Sequence, residues 1–235
     1  MDAAAQLPLT LRFSPDQRFE TFVGASDGAL ALLRAFARGE TEATAAVSTV
    51  FLAGAHGTGK THLALAVCAE ADAAGARAAY VPLAAARGRV RDALEAYEHA
   101  DLIALDGLDA AVGARDDEIA LFDAHNRWRD AGRRVLYTAT ATPDALPLTL
   151  PDLRSRLSQC ARVALDVLDD AGRAEVLRLR AQRRGLQLET PAIDWLLKRV
   201  DRDLGSLTAL LDRLDRESLA AQRRITVPFL RQVLG

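Results

Sequence analysis

The sequence predicts an α/β protein: a five-stranded parallel sheet covered by helices, followed by a small all-helical C-terminal domain. Three observations carry that prediction. Gly54-Ala55-His56-Gly57-Thr58-Gly59-Lys60-Thr61 fits G-x-x-x-x-G-K-[ST] without a mismatch. It stands between an apolar run, Val47 to Ala53, and a helix-periodic run, His62 to Ala74. Further short apolar runs alternate with helical segments up to Leu165, and beyond Asp169 the strand signals stop.

Composition sets the bounds. The chain has 235 residues, 50% hydrophobic and 26% charged, enough for a full core and unlike a disordered chain. A net charge of −2 gives no global argument for nucleic acid. Cys68 and Cys160 lie far apart without metal spacing, and Cys68 is expected to be apolar filler on a helix. No basic, apolar leader opens the sequence, and no run of about 18 apolar residues appears. A cytoplasmic protein without a membrane partner is the expectation.

Residues 1–18 read as an arm. In Gln6-Leu7-Pro8-Leu9-Thr10-Leu11, Pro8 forbids a helix interior. Leu7, Leu9 and Leu11 on an extended segment suit a peptide laid in an apolar groove, and equally a short edge strand. Phe19 to Gly24 follows, then a helix from about Ser26 to Arg38 and a loop to Ala46.

The first strand and the glycine loop come next. Gly54, Gly57 and Gly59 are expected at backbone angles closed to other residues, turning N–H groups inward toward phosphate oxygens. His56 and Thr58 lie within the same cradle, and the helix beginning near Lys60 adds the positive end of its dipole. Lys60 would reach the β- and γ-phosphates and Thr61 would offer a hydroxyl to Mg²⁺. Lysine is an exception in this chain: only Lys60 and Lys198 occur among 30 Lys and Arg residues, so the loop selects a compact point charge.

A second strand is expected at Ala78 to Pro82 and a helix over 87–99. Leu102-Ile103-Ala104-Leu105-Asp106 is an apolar run ending in a carboxylate, which a strand would carry toward Mg²⁺ and its waters. The next residue is Gly107, with no side chain to orient an attacking water, and Asp109 is expected to point elsewhere, so hydrolysis in cis should be weak. Asp116 to Asp130 reads as a helix with Ile119, Phe122, Asn126 and Trp128 inward. A fourth strand, Arg134 to Thr138, ends in a threonine able to bond a phosphate or a catalytic water, or simply to satisfy the strand end. A short helix over Asp152 to Leu157 and a fifth strand, Ala161 to Leu165, complete the sheet domain.

Helices are expected at about 170–184, 191–200 with Thr190 as N-cap, 204–222 and 227–234. Arg178, Arg180, Arg183 and Arg184 read as a solvated basic face. The domains are therefore an arm (1–18), a nucleotide-binding α/β domain (19–167) and a helical domain (168–235).

The ordered phosphate loop, the Asp106 strand, the Thr138 strand and the helical end together resemble the AAA+ ATPases. Within them, nearly the whole chain resembles the Hda family of DnaA-related regulators. Gln6-Leu7-Pro8-Leu9 is similar to that family's sliding-clamp-binding motif, Phe19-Glu20-Thr21-Phe22-Val23 to the segment entering the nucleotide site, and Leu150 to Leu157 to the helix bearing an arginine finger. The resemblance implies an AAA+ core with a helical lid, binding ADP or ATP with Mg²⁺. Phe22 and Val23 would meet the nucleotide alongside the loop, Asp106 and Thr138.

It implies further that the protein docks on the DNA-loaded sliding clamp (the beta subunit of DNA polymerase III) through Gln6, Leu7, Leu9 and Leu11. DNA would be met only through the clamp. Arg156 would then act in trans on ATP bound to DnaA, inhibiting replication initiation. A stand-alone AAA+ ATPase such as a helicase loader is the other reading, and a homo-oligomer is left open. The end at Gly235 leaves no room for the DNA-binding domain of DnaA itself. One departure stands out: where the lid of related proteins carries a sensor arginine, the matching position is Gly205, with Arg202 three residues back.

Overall fold

The computed structural model describes residues 17–40, 47–199, 210–211, 213–217 and 225–234. Gln6, Leu7, Leu9, Leu11, Arg202 and Gly205 lie outside the described residues. Five strands, β1 (Thr49–Gly54), β2 (Ala78–Pro82), β3 (Leu102–Asp106), β4 (Arg134–Ala139) and β5 (Ala161–Leu165), form one sheet. Every paired neighbour is parallel, in the order β2-β3-β4-β1-β5. Side chains alternate between two faces, and both faces are covered. Phe51, Ile103, Leu105, Val135 and Tyr137 enter one core. Val50, Leu52, Leu102, Ala104 and Leu136 enter the other. Double coverage is why these strands read as continuous apolar runs.

Helices α1 (Asp27–Arg38) and α2 (Lys60–Ala73) cover one face through Leu33, Phe36, Leu63 and Val67. The other face carries α3 (Leu83–Ala86), α4 (Val90–Glu95), α5 (Arg115–Asp130) and α6 (Pro151–Ser158) through Leu83, Leu94, Leu121, Trp128 and Leu153. Ser26 starts α1 by accepting from the Ala29 N–H at 3.2 Å, and Gly39 ends it at φ 71°.

Two expectations change here. The helix expected over 87–99 is shorter, Val90–Glu95, and a separate single turn, Leu83–Ala86, precedes it; Gly88 turns the chain between them at φ 79°, and Asp117 accepts from the N–H groups of Gly88 (2.8 Å) and Val90 (3.3 Å). The inward face of α5 also differs. Trp128 is buried as expected, but Asp117, Glu118, Leu121, Ala124 and His125 join it, while Ile119, Phe122 and Asn126 are only half-buried.

Glu118 is fully buried and fixes the approach to α6. Its carboxylate accepts from Gly113 N (2.8 Å), Thr149 N (2.9 Å), Thr149 Oγ1 (2.9 Å) and Leu150 N (2.7 Å). Burial pushes its pKa up, but these donors outweigh it and hold the carboxyl below its ordinary value. At the other end of α6, Ser158 Oγ donates to Asp144 at 3.1 Å. The helix is thus braced at both ends.

Beyond β5 come α7 (Asp170–Arg183), α8 (Thr190–Leu197) and a last helix, Val227–Leu234. Asp169 caps α7 by accepting from Gly172 N at 2.7 Å. The N-cap of α8 is Glu189, not Thr190, which is already helical with Pro191 in the first turn. Ala192, Leu196, Leu214, Ile225, Phe229 and Leu230 form the lid core. Among the described residues no helix is long and apolar enough to cross a membrane.

Candidate functional site

In a doubly covered parallel sheet, ligand sites form where strands end and neighbouring connections diverge. Here the loop after β1, Asp106 at the end of β3 and Thr138 near the end of β4 meet at one cleft of about 600 Å³. Its walls include Phe22, Val23, His56, Gly57, Gly59, Lys60, Thr61, Asp106 and Thr138, so most of the expected residues are brought together.

Gly57 (φ 77°) and Gly59 (φ 92°) adopt the left-handed backbone that the motif requires. Gly54 does not, and its role differs from expectation. A Cβ there would lie 2.7 Å from the Leu165 carbonyl oxygen and from Thr58 Oγ1, so this glycine permits close approach of β5. Thr58 is buried, and its hydroxyl donates to the Ala55 carbonyl at 3.0 Å, within the loop. Neither Gly54 nor Thr58 lines the cleft.

Lys60 Nζ donates to the carbonyls of Gly54 (2.6 Å) and Ala55 (2.8 Å), folding back on its own loop. Partial burial lowers its pKa, opposed by the charges of Asp109 and Asp106. Asp106 is the hub of the floor. Thr61 donates to its Oδ2 at 2.8 Å, Tyr80 donates to the same oxygen at 2.8 Å, and Thr138 donates to Oδ1 at 2.6 Å. Thr138 is buried and also accepts from the Gly107 N–H at 2.9 Å, so it is a satisfied strand-end residue as well as part of the wall. Burial raises the Tyr80 phenol above its ordinary pKa, and Asp106 raises it further.

Asp109 does not point elsewhere. Gly107 takes a left-handed turn (φ 78°), the short helical turn Leu108–Ala110 follows, and Asp109 comes back to line the cleft. Its carboxylate accepts from Thr140 N at 3.0 Å and from the Thr140 hydroxyl.

The segment before α1 forms a side wall. His62 Nε2 lies 2.9 Å from the Arg18 carbonyl oxygen and 3.3 Å from Thr21 Oγ1, and its ring meets Phe22 edge-on at 5.3 Å. The Phe22 ring occupies the space beside Gly59: a Cβ at 59 would lie 2.6 Å from Phe22 Cε2. The lid supplies Val176 and Arg180 to the opposite wall. The arginines of α7 are therefore not one solvated face, since Arg178 is exposed and pairs with Glu175 while Arg180 is half-buried at the cleft. Among the lining residues, His62, Asp109, Thr140, Val176 and Arg180 are ones that sequence reasoning did not place at the cleft, and Tyr80 reaches Asp106 from behind the lining.

Arg156 is not at this cleft. It lies in the last turn of α6, half-buried, and its guanidinium has no hydrogen-bond or ion-pair partner among the described residues, Asp152 one turn earlier included. Its charge helps depress His125, whose pKa falls to about 4 chiefly by burial, with Arg129 adding to the effect. His125 Nδ1 sits 2.9 Å from the Tyr137 hydroxyl oxygen, deep under α6. Arg154, by contrast, is committed: it donates to the Leu148 carbonyl at 2.7 Å.

Comparison with known proteins places this architecture. Residues 50–165 match the AAA family, the ATPases associated with various cellular activities, and residues 170–234 match the Hda lid domain. Domain III of the replication initiation protein DnaA from Thermotoga maritima superposes with a TM-score of 0.77 at 20% identity, over 94% of this chain and 97% of that one. DnaA bound to AMPPCP and single-stranded DNA gives 0.70 at 21% identity over 86% of this chain, and the present chain spans 66% of its length. The RuvB Holliday junction branch migration motor of Thermotoga maritima gives 0.66 at 21% identity, over 93% of this chain and 71% of that one. At these identities the likenesses establish the fold, and the two family matches establish the domains, an AAA ATPase domain followed by an Hda lid domain: the make-up of an Hda-like AAA+ protein.

Proposed function

We propose that this protein is a nucleotide-holding regulator of replication initiation that supplies Arg156 in trans to ATP bound on DnaA. It would act in the cytoplasm, docked on the DNA-loaded sliding clamp through Gln6, Leu7, Leu9 and Leu11. One juxtaposition carries the reading. A cradle with Lys60, Thr61 and Asp106 in place is followed by Gly107, which has no carboxylate, while an arginine whose guanidinium has no hydrogen-bond or ion-pair partner among the described residues stands on a braced helix outside the cleft.

The chemistry follows from those groups. Lys60 leaves its loop carbonyls for the β- and γ-phosphates, exchanging two neutral acceptors for charged ones. The loop N–H groups and the start of α2 take the remaining phosphate oxygens. Phe22 and Val23, with Val176 and Arg180 opposite, enclose the rest of the nucleotide. Thr61 and Asp106, a hydroxyl and a carboxylate in contact on the floor, fit Mg²⁺ held mainly by phosphates and waters. When bound, that ion offsets phosphate charge.

Phosphoryl transfer spreads negative charge over the γ-phosphate oxygens, and a guanidinium placed there is worth about 10³–10⁵ in rate. Asp109 is the feature that favours a stand-alone ATPase, because a carboxylate does reach the cleft. Its engagement with Thr140 weighs against a role in orienting water.

The test is labelled-ATP turnover by DnaA with DNA-loaded clamp, with and without this protein, beside turnover by the protein alone. Strong stimulation, lost in Arg156→Ala and in Gln6→Ala/Leu9→Ala, is expected. Rapid turnover by the protein alone, or full stimulation by Arg156→Ala, would reverse the assignment.

A further inference from the structure

Asp106 has an unusual number of donors for a carboxylate expected to serve a metal. Three hydroxyls converge on it: Thr61 and Tyr80 on Oδ2, and Thr138 on Oδ1. Thr61 belongs to the phosphate loop and Thr138 to the adjacent strand β4, and both also serve other ends. Tyr80 is different. It comes from the edge strand β2, paired only with β3, and reaches past Ala104, its register partner, to the carboxylate. Nothing in the phosphate-loop pattern requires a hydroxyl there.

A carboxylate presents about four acceptor positions. Two on Oδ2 and one on Oδ1 are taken, so one remains for a hydrated cation in the cleft. Each donated proton also draws negative charge from the carboxylate, which makes it a poorer acceptor for metal-bound water. With its oxygens so occupied, Asp106 is already stabilised without a cation.

We propose that Tyr80 is a positioning residue for Asp106 that lowers the dependence of nucleotide binding on Mg²⁺, so that this protein holds a nucleoside diphosphate with little help from the metal. The inference rests on the nucleotide reading of the cleft and not on the trans action of Arg156. Removing the phenolic oxygen frees an acceptor position and returns charge to Asp106. Mg²⁺ then gains more from the site than it does in the native protein.

The experiment is calorimetric titration of ADP into the full chain, once with Mg²⁺ and once with EDTA. It is run on the native protein, Tyr80→Phe, Asp106→Asn and the double variant. The readout is the ratio of affinities with and without Mg²⁺, which a purely packing role for Tyr80 would not move. Loss of one hydrogen bond to the carboxylate corresponds to a rise of about two- to tenfold in that ratio for Tyr80→Phe. In the Asp106→Asn background the same substitution should leave the ratio unchanged, because Tyr80 acts through the carboxylate. An unchanged or smaller ratio in Tyr80→Phe, or an equal rise with Asn at 106, overturns the proposal while leaving the nucleotide site standing. A native protein that binds no ADP under either condition overturns both.

Discussion

Glu118→Ala should be strongly damaging although Glu118 lies outside the cleft. The carboxylate is fully buried and accepts from three backbone N–H groups, those of Gly113, Thr149 and Leu150, and from the Thr149 hydroxyl. Thr149 is exposed, so its hydroxyl can turn to water. The three N–H groups have no such recourse in place. At about 1 kcal/mol for each stranded donor, the loss is about 3 kcal/mol, a large share of the roughly 5–15 kcal/mol that holds a domain together.

The damage should be directional. Thr149 and Leu150 lead directly into α6, so the helix that carries Arg156 loses its anchor while the phosphate loop does not. Guanidinium denaturation should show a lower midpoint, and ADP binding by the variant at 15 °C should stay near native. Stimulation of DnaA should fall further than the fraction unfolded explains. A midpoint equal to native would refute the reasoning, since it would mean that water or relaxation satisfies all three donors.

Three further expectations follow from the geometry. Lys60→Ala should weaken ADP binding by about ten- to a hundredfold, the worth of a charge-assisted contact to phosphate, as measured by calorimetry. Arg156→Lys should fail to stimulate DnaA despite keeping its charge, because an ammonium cannot reproduce the forked guanidinium contact; equal stimulation by the lysine variant would place the finger elsewhere. His125 is held neutral to about pH 4, whereas an unfolded histidine takes up its proton near pH 6.5. Its depressed pKa therefore costs nothing above about pH 6.5 and removes stability as pH falls from there toward 4, by up to about 3 kcal/mol. Denaturation midpoints measured across that range should be flatter in His125→Phe.

The sheet was legible because its inner strands β1, β3 and β4 are buried on both faces, which turns each into a short apolar run that punctuation residues delimit, while β5 alternates buried and exposed residues. The phosphate loop was legible because its chemistry demands fixed spacing. What escaped depended on the path of the chain in space. Gly107 was read for its missing side chain, yet its left-handed turn is what returns Asp109 to the cleft. Tyr80 sits in an apolar strand and looks like core until its hydroxyl is seen on Asp106. Asp117 and Glu118 stand in the first turn of a helix, where sequence alone gives no sign that their carboxylates are buried against loop N–H groups. Arg180 was one arginine among several, and only the packing of α7 beside the Phe19–Thr21 turn singles it out. Gly88, however, is a readable sign that no helix would run through 87–89, and the helix there starts at Val90.

Gly107 also bears on how far this protein stands from an enzyme. A Cβ at 107 would meet nothing within 4 Å, so the position is open toward the cleft and only the left-handed φ of 78° argues for glycine. A side chain there costs about 1–2 kcal/mol of backbone strain, which a folded domain can bear. Crowding at 107 would therefore not be the cause of the weak hydrolysis in cis proposed above. There is open space for a side chain at 107, and the left-handed φ is the strain a substitution would meet. Gly107→Glu should fold, melt a few degrees lower, and gain measurable ATP turnover on its own; a variant that folds and binds ATP yet stays inert would show that more than the missing carboxylate silences the site.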